Sequence, residues 1–116
     1  MLKFFLDKLK WKHGRQAGGY QKLKIFESKF FSCDCYLLYY KEGSFIPEHT
    51  DPVKKKKHYR LNIELVKPKR GGYFIYDLPL IWKFYRIVLF RPDITIHSVT
   101  KIIKGYRLML SIGWAR

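Results

Sequence analysis

Leu2, Phe5, Leu6 and Leu9 recur at i, i+3, i+4 and i+7 while Lys3, Asp7, Lys8, Lys10 and Lys12 fill the other positions. That spacing predicts a short amphipathic helix at the N-terminus, of about three turns. Such a helix either rests on an anionic membrane surface or covers the back of a sheet, and the rest of the chain favours the sheet. Gly14, Gly18 and Gly19 end the helical period. Beyond them the segments 30–40, 44–49, 60–67, 72–78, 82–91, 94–98 and 107–114 are rich in β-branched and aromatic residues. They are separated by KEGS, PVKKKK, PKRGG, RPD and TKIIKG, which read as turns. Seven or so short strands after a single helix predict a mainly β chain folded as a sandwich or jelly roll.

Size and composition narrow this picture. A chain of 116 residues is expected to form a single domain, 1–116, with its core from about residue 30 onward. A hydrophobic content of 47% and an aromatic content of 18% exclude a disordered basic tail. The balance of 24 Lys and Arg against 9 Asp and Glu, a formal net charge of +15, calls for an anionic partner: nucleic acid, an acidic protein or anionic lipid. The four-lysine run at 54–57 reads as a solvated loop. No stretch approaches the roughly 18 apolar residues of a membrane span, and the early lysines interrupt the apolar run of a secretory signal, so a cytoplasmic protein is expected. Cys33 and Cys35 fall on one face of a strand with β-carbons about 7 Å apart, too far for a disulfide. They are expected to be reduced packing residues.

The histidines sort by their neighbours. His13 adjoins Gly14 and His58 ends the lysine run, and neither has a carboxylate two residues away. In His49-Thr50-Asp51, by contrast, an extended backbone projects imidazole and carboxylate to one side, where they can share a cation. His97, at the end of a strand in ITIHSV, is the candidate third ligand. Two histidines and one carboxylate with open positions opposite are the donor set of non-haem Fe(II) oxygenases, whereas a closed zinc site takes four protein ligands. Ten residues later Arg107 opens an alternating strand in which Leu108, Leu110, Ile112 and Trp114 share one face and Arg107, Met109 and Ser111 the other. An arginine on that second face would be buried beside the metal, and there it needs an anion. Singly, His97 reads as a core histidine and Arg107 as a cation at a strand start; the order of all four residues argues for a joint role.

The arrangement His49-x-Asp51, His97 and Arg107 resembles the 2-oxoglutarate/Fe(II)-dependent dioxygenases, whose fold is a double-stranded β-helix, a jelly roll. Tyr40-x-x-Gly43 followed by His49-x-Asp51 is similar to the approach to the metal in prolyl 4-hydroxylases. Arg60-Leu-Asn62 with Pro68 and Gly71, together with the strand from Arg107 to Trp114, is similar to the aspartyl/asparaginyl β-hydroxylase branch. The matching segments span about 36–114. The resemblance implies that His49, Asp51 and His97 hold Fe(II) and that Arg107 receives the distal carboxylate of 2-oxoglutarate. Arg60, Asn62 and Tyr40 are implied as further contacts to the cosubstrate. It also implies hydroxylation by O₂ of a protein side chain or other macromolecule through a ferryl species, with release of succinate and CO₂, while the lysines, those at 54–57 among them, point to an acidic substrate, protein or nucleic acid. The chain departs from the family pattern where Met109 replaces a common serine and where Asn62 replaces a histidine. The β-hydroxylase branch lacks an iron-binding carboxylate, which Asp51 supplies here. Two other readings stand beside this one. One is a non-catalytic basic β-sandwich that binds nucleic acid through lysines and exposed aromatics such as Tyr39, Tyr59 and Tyr73. The other is a cupin-like protein holding Zn or Mn without 2-oxoglutarate.

Overall fold

The computed structural model describes residues 11–13, 18–53, 55–77 and 80–116; the helix expected near the N-terminus lies outside them. Among these residues twelve strands follow one another: β1 (Lys12–His13), β2 (Gln21–Ser28), β3 (Cys33–Tyr40), β4 (Ile46–His49), β5 (His58–Val66), β6 (Arg70–Gly71), β7 (Phe74–Tyr76), β8 (Trp82–Phe84), β9 (Ile87–Phe90), β10 (His97–Val99), β11 (Ile102–Lys104) and β12 (Arg107–Ala115). They form a seven-stranded sheet in the order β1-β2-β3-β12-β5-β9-β8, a three-stranded sheet in the order β4-β10-β7, and the pair β11-β6. Every pairing is antiparallel.

The last strand is the axis of the large sheet because its sequence alternates so cleanly. β12 pairs with β3 on one side and β5 on the other. Arg107, Met109 and Ser111 on its inner face are all buried, as the alternation predicts. The two main sheets share one core, in which Tyr40 and Met109 from the large sheet meet Ile46 and Val99 from the small one, with Tyr20 and Ile102 closing the ends and Leu38 and Phe74 packed against them. Burial of this mostly aromatic and aliphatic set supplies the main driving force for bringing the sheets together.

Several boundaries differ from the sequence reading. The folded sheet begins before residue 30: β2 forms along QKLKIFES, whose Ile25 and Phe26 remain exposed, so its hydrophobic alternation does not report a buried face. Phe30 and Phe31 lie in the turn before β3, which Ser32 enters with a positive φ of 51°. The segment 82–91 is two strands, β8 and β9, joined through Tyr85 at φ 51°. Residues 92–95 form a turn, so β10 starts only at His97.

Candidate metal centre

β4 and β10 set His49 and His97 directly opposite each other in antiparallel register, and their ring centroids stand 4.2 Å apart. Each ring is aimed by the same local device. The Nδ1–H of His49 donates to the Pro47 carbonyl at 2.8 Å, and that of His97 donates to the Thr95 carbonyl at 2.8 Å. A carbonyl only accepts, so Nδ1 carries a proton, and in the neutral ring each Nε2 lone pair is left for the centre. Asp51 follows β4 at the edge of the same space. Its backbone N–H donates to the Pro92 carbonyl at 2.6 Å and its own carbonyl accepts from His58 Nδ1 at 3.1 Å. Asp51 Oδ2 lies 3.4 Å from His49 Nε2 and 3.7 Å from His97 Nε2, and the potential donor atoms of the three residues all fall within 4.8 Å of one another.

Burial would raise the Asp51 carboxyl, but when the two rings are protonated the hydrogen bonds from their Nε2–H groups and the charges of His49 and His97 override it and hold the group well below the usual carboxylate range. The turn that leads into His97 is braced by Arg91, whose guanidinium donates to both Asp93 oxygens at 3.2 and 2.6 Å. Phe90 packs edge-on against the His97 ring at 5.0 Å, and Phe74 lies beside it. The cluster therefore has one apolar wall.

A cavity of about 620 Å³ opens from this cluster, and Tyr40, Arg60, Asn62 and Arg107 also line it. Arg107 stands opposite Tyr40 in the β12–β3 register, with its guanidinium carbon 4.8 Å from the centre of the Tyr40 ring. Burial pushes the Tyr40 phenol up to about 12, against the attraction of Arg107. Arg107 Nε donates to Glu64 Oε2 at 2.8 Å, while Nη1 is buried with no hydrogen-bond partner among the described residues. The counter-ion of this buried cation is thus in part internal, which the sequence reading did not anticipate.

Arg60 and Asn62 belong to a second polar group. Arg60 Nη1 donates to Ser111 Oγ at 2.7 Å, Nη2 to Asp34 Oδ1 at 2.8 Å, and Ser111 Oγ in turn donates to Asn62 Oδ1 at 2.6 Å. The register explains it. Gly113 lies between Asp34 on β3 and Arg60 on β5, so the arginine crosses the central strand where there is no side chain, and a Cβ on Gly113 would collide with its guanidinium. Arg60 already has an acidic partner in Asp34, which weakens its claim on a cosubstrate. His58, set aside in the sequence reading, lines the same cavity and lies 3.4 Å from Arg60; burial lowers its affinity for a proton. Glu64 and His58 left one sequence signal each: Glu64 continues the face of Arg60 and Asn62 on one strand, and His58 begins that strand. Of the aromatics put forward for nucleic-acid stacking, Tyr39 is fully buried, Tyr59 stacks on Trp114 at 5.8 Å, and only Tyr73 is strongly exposed.

Donor set and cavity define a chain that could hold a divalent metal and an anionic ligand beside it. Comparison with solved structures places the fold among those of the prolyl 4-hydroxylases. A prolyl-4-hydroxylase from Pseudomonas putida superposes with a TM-score of 0.70 at 16% identity, over 99% of this chain and 80% of that one. The viral collagen prolyl hydroxylase vCPH from Paramecium Bursaria Chlorella virus-1, solved as a 2OG complex, gives 0.59 at 14% identity over 87% and 80%. Rhodobacter sphaeroides SigE in complex with the anti-sigma ChrR gives 0.55 at 15% identity, over 94% of this chain and 50% of that one. These likenesses show the fold. No protein-family model and no curated protein sequence matches the chain. Among the described residues no helix is long and apolar enough to cross a membrane.

Proposed function

We propose that this protein is a 2-oxoglutarate- and Fe(II)-dependent oxygenase that hydroxylates a protein side chain or another macromolecule of acidic character. The observation that carries the reading is that one cavity joins the His49–Asp51–His97 cluster to Arg107, a buried cation whose Nη1 has no partner among the described residues. A buried guanidinium nitrogen without an acceptor costs about 1–3 kcal/mol, and a carboxylate delivered into the cavity would relieve that cost. The fit to the donor set is chemical as well: two imidazole nitrogens and one carboxylate suit Fe(II), and the missing fourth protein ligand leaves room for other groups.

In this role His49 and His97 would hold the metal through Nε2 and Asp51 through its carboxylate, with Nδ1 of each ring fixed on a carbonyl so that neither can turn away. Bound iron and 2-oxoglutarate supply the oxidation of a C–H bond by O₂, coupled to loss of CO₂ from the 2-oxo acid. Arg107 would receive the distal carboxylate, with the Tyr40 phenol held neutral beside it as a donor. Phe74 and Phe90 exclude water from the His97 side. Lys22, Lys29 and Lys56 line the cavity, and their charges would draw an acidic substrate to it.

Conversion of 2-oxoglutarate to succinate in air, with and without added Fe(II), tests the reading. The expected result is iron-dependent succinate formation that falls at least about 100-fold in both His97→Ala and Arg107→Ala. Activity that survives His97→Ala would overturn the assignment. Metal binding in a protein indifferent to Arg107→Ala would point to a metal protein that does not use 2-oxoglutarate.

A further inference from the structure

Arg107 sits between two cavities. One is the large cavity of the metal cluster; the other, of about 180 Å³, is lined by Glu64, Lys67, Lys83 and Arg86 as well as by Arg107. Glu64 lines the smaller cavity and not the larger, so its carboxylate holds the guanidinium from that side through Nε and leaves the buried Nη1 without a partner among the described residues. The pair is well shielded, with side-chain exposures of 3% for Arg107 and 15% for Glu64. Its position is built in: Glu64 pairs with Met109 in the β5–β12 register, beside the irregularity at Leu108 and Met109.

We propose that Glu64 is a specificity-determining residue for the distal end of the 2-oxo acid, an inference that rests on the oxygenase reading above. A guanidinium with no counter-ion strongly prefers a distal carboxylate to a distal amide. Glu64, in contact with the guanidinium at 2.8 Å, offsets its charge locally although Lys67, Lys83 and Arg86 stand on the same cavity wall, and a second carboxylate gains hydrogen bonds from Arg107 while it is repelled by Glu64 across a short, poorly screened distance. The pocket therefore discriminates only weakly between 2-oxoglutarate and a 2-oxo acid whose far end is uncharged. Glu64→Gln isolates the charge, because the glutamine oxygen still accepts from Arg107 Nε and keeps the guanidinium oriented.

The test is calorimetric titration of the Mn(II)-loaded protein with 2-oxoglutarate and with its distal amide, 2-oxoglutaramate, which reads binding without turnover. In the wild type the two ligands are expected to bind within about threefold of each other. In Glu64→Gln the affinity for 2-oxoglutarate is expected to rise about tenfold or more, while that for the amide changes by less than about threefold. A wild-type preference for 2-oxoglutarate above about 30-fold, or an unchanged or weakened 2-oxoglutarate affinity in the variant, overturns the role of Glu64 and leaves the oxygenase reading standing. Because the first comparison needs no variant, it decides the matter even if Glu64→Gln folds poorly. Binding of neither ligand to the wild type would sink both the inference and the reading beneath it.

Discussion

His49 and His97 share a small device, a ring nitrogen tied to the carbonyl two residues earlier, and through it two loop-flanked side chains are aimed alike toward one space. The residue types were legible in the sequence, because His-x-Asp and a later histidine have a chemistry of their own. The carbonyls and the backbone clamps on Asp51 were not, since any residue at those positions supplies the same groups. If the cluster binds metal, His97→Ala should weaken retention of Fe(II) or Mn(II) at least about 100-fold, measured by equilibrium dialysis; unchanged retention would remove the cluster from consideration. Tyr40 gives a second residue-scale expectation. Its phenol is raised from 10.0 to about 12 by burial, so the neutral form is favoured in the fold. The stability this contributes is fully present below pH 10 and is lost as the pH rises toward about 12, at a cost of about 2–3 kcal/mol. Denaturant melts across that range should show the loss in the wild type and a shallower decline in Tyr40→Phe.

At the scale of elements, β12 was readable because its inner face alternates so strictly, and Arg107, Met109 and Ser111 are buried as expected. β5 was only half readable. Arg60 and Asn62 stood out through the family likeness, whereas Glu64, next on the same face, looks like any solvent-facing acid until Arg107 is placed beside it. Asp34 gave no signal at all, because its partnership depends on three strands lying side by side. Gly113 is the hinge of that partnership: Gly113→Ala should displace Arg60 from Asp34 and Ser111 and lower stability by about 1–3 kcal/mol in thermal or urea melts. In an Arg60→Ala background the same change should cost much less, and equal costs in the two backgrounds would refute the coupling. The division of 82–91 into β8 and β9 escaped sequence reading because Tyr85, a good strand former, takes the left-handed turn conformation here.

For the whole molecule, two antiparallel sheets closed over one core follow from the density of strands and turns, but the excess of positive charge needs a structure to interpret. The net charge of +15 looks like a nucleic-acid signature, yet Tyr39 is buried and Tyr59 is stacked on Trp114, while lysines stand on the wall of the cavity. Under the proposed function this charge would deliver an acidic substrate to that cavity. Association with a poly-glutamate peptide should weaken steeply as ionic strength rises from about 0.05 to about 0.5 M, and salt-independent binding would contradict this. The proposed function requires His49, Asp51 and His97 to hold iron within reach of 2-oxoglutarate. Its most direct test is the visible difference spectrum when 2-oxoglutarate is added without oxygen to the Fe(II)-loaded protein. A metal-to-ligand charge-transfer band that is absent in His49→Ala is the expected result; no band in the wild type, or the same band in His49→Ala, would contradict the account.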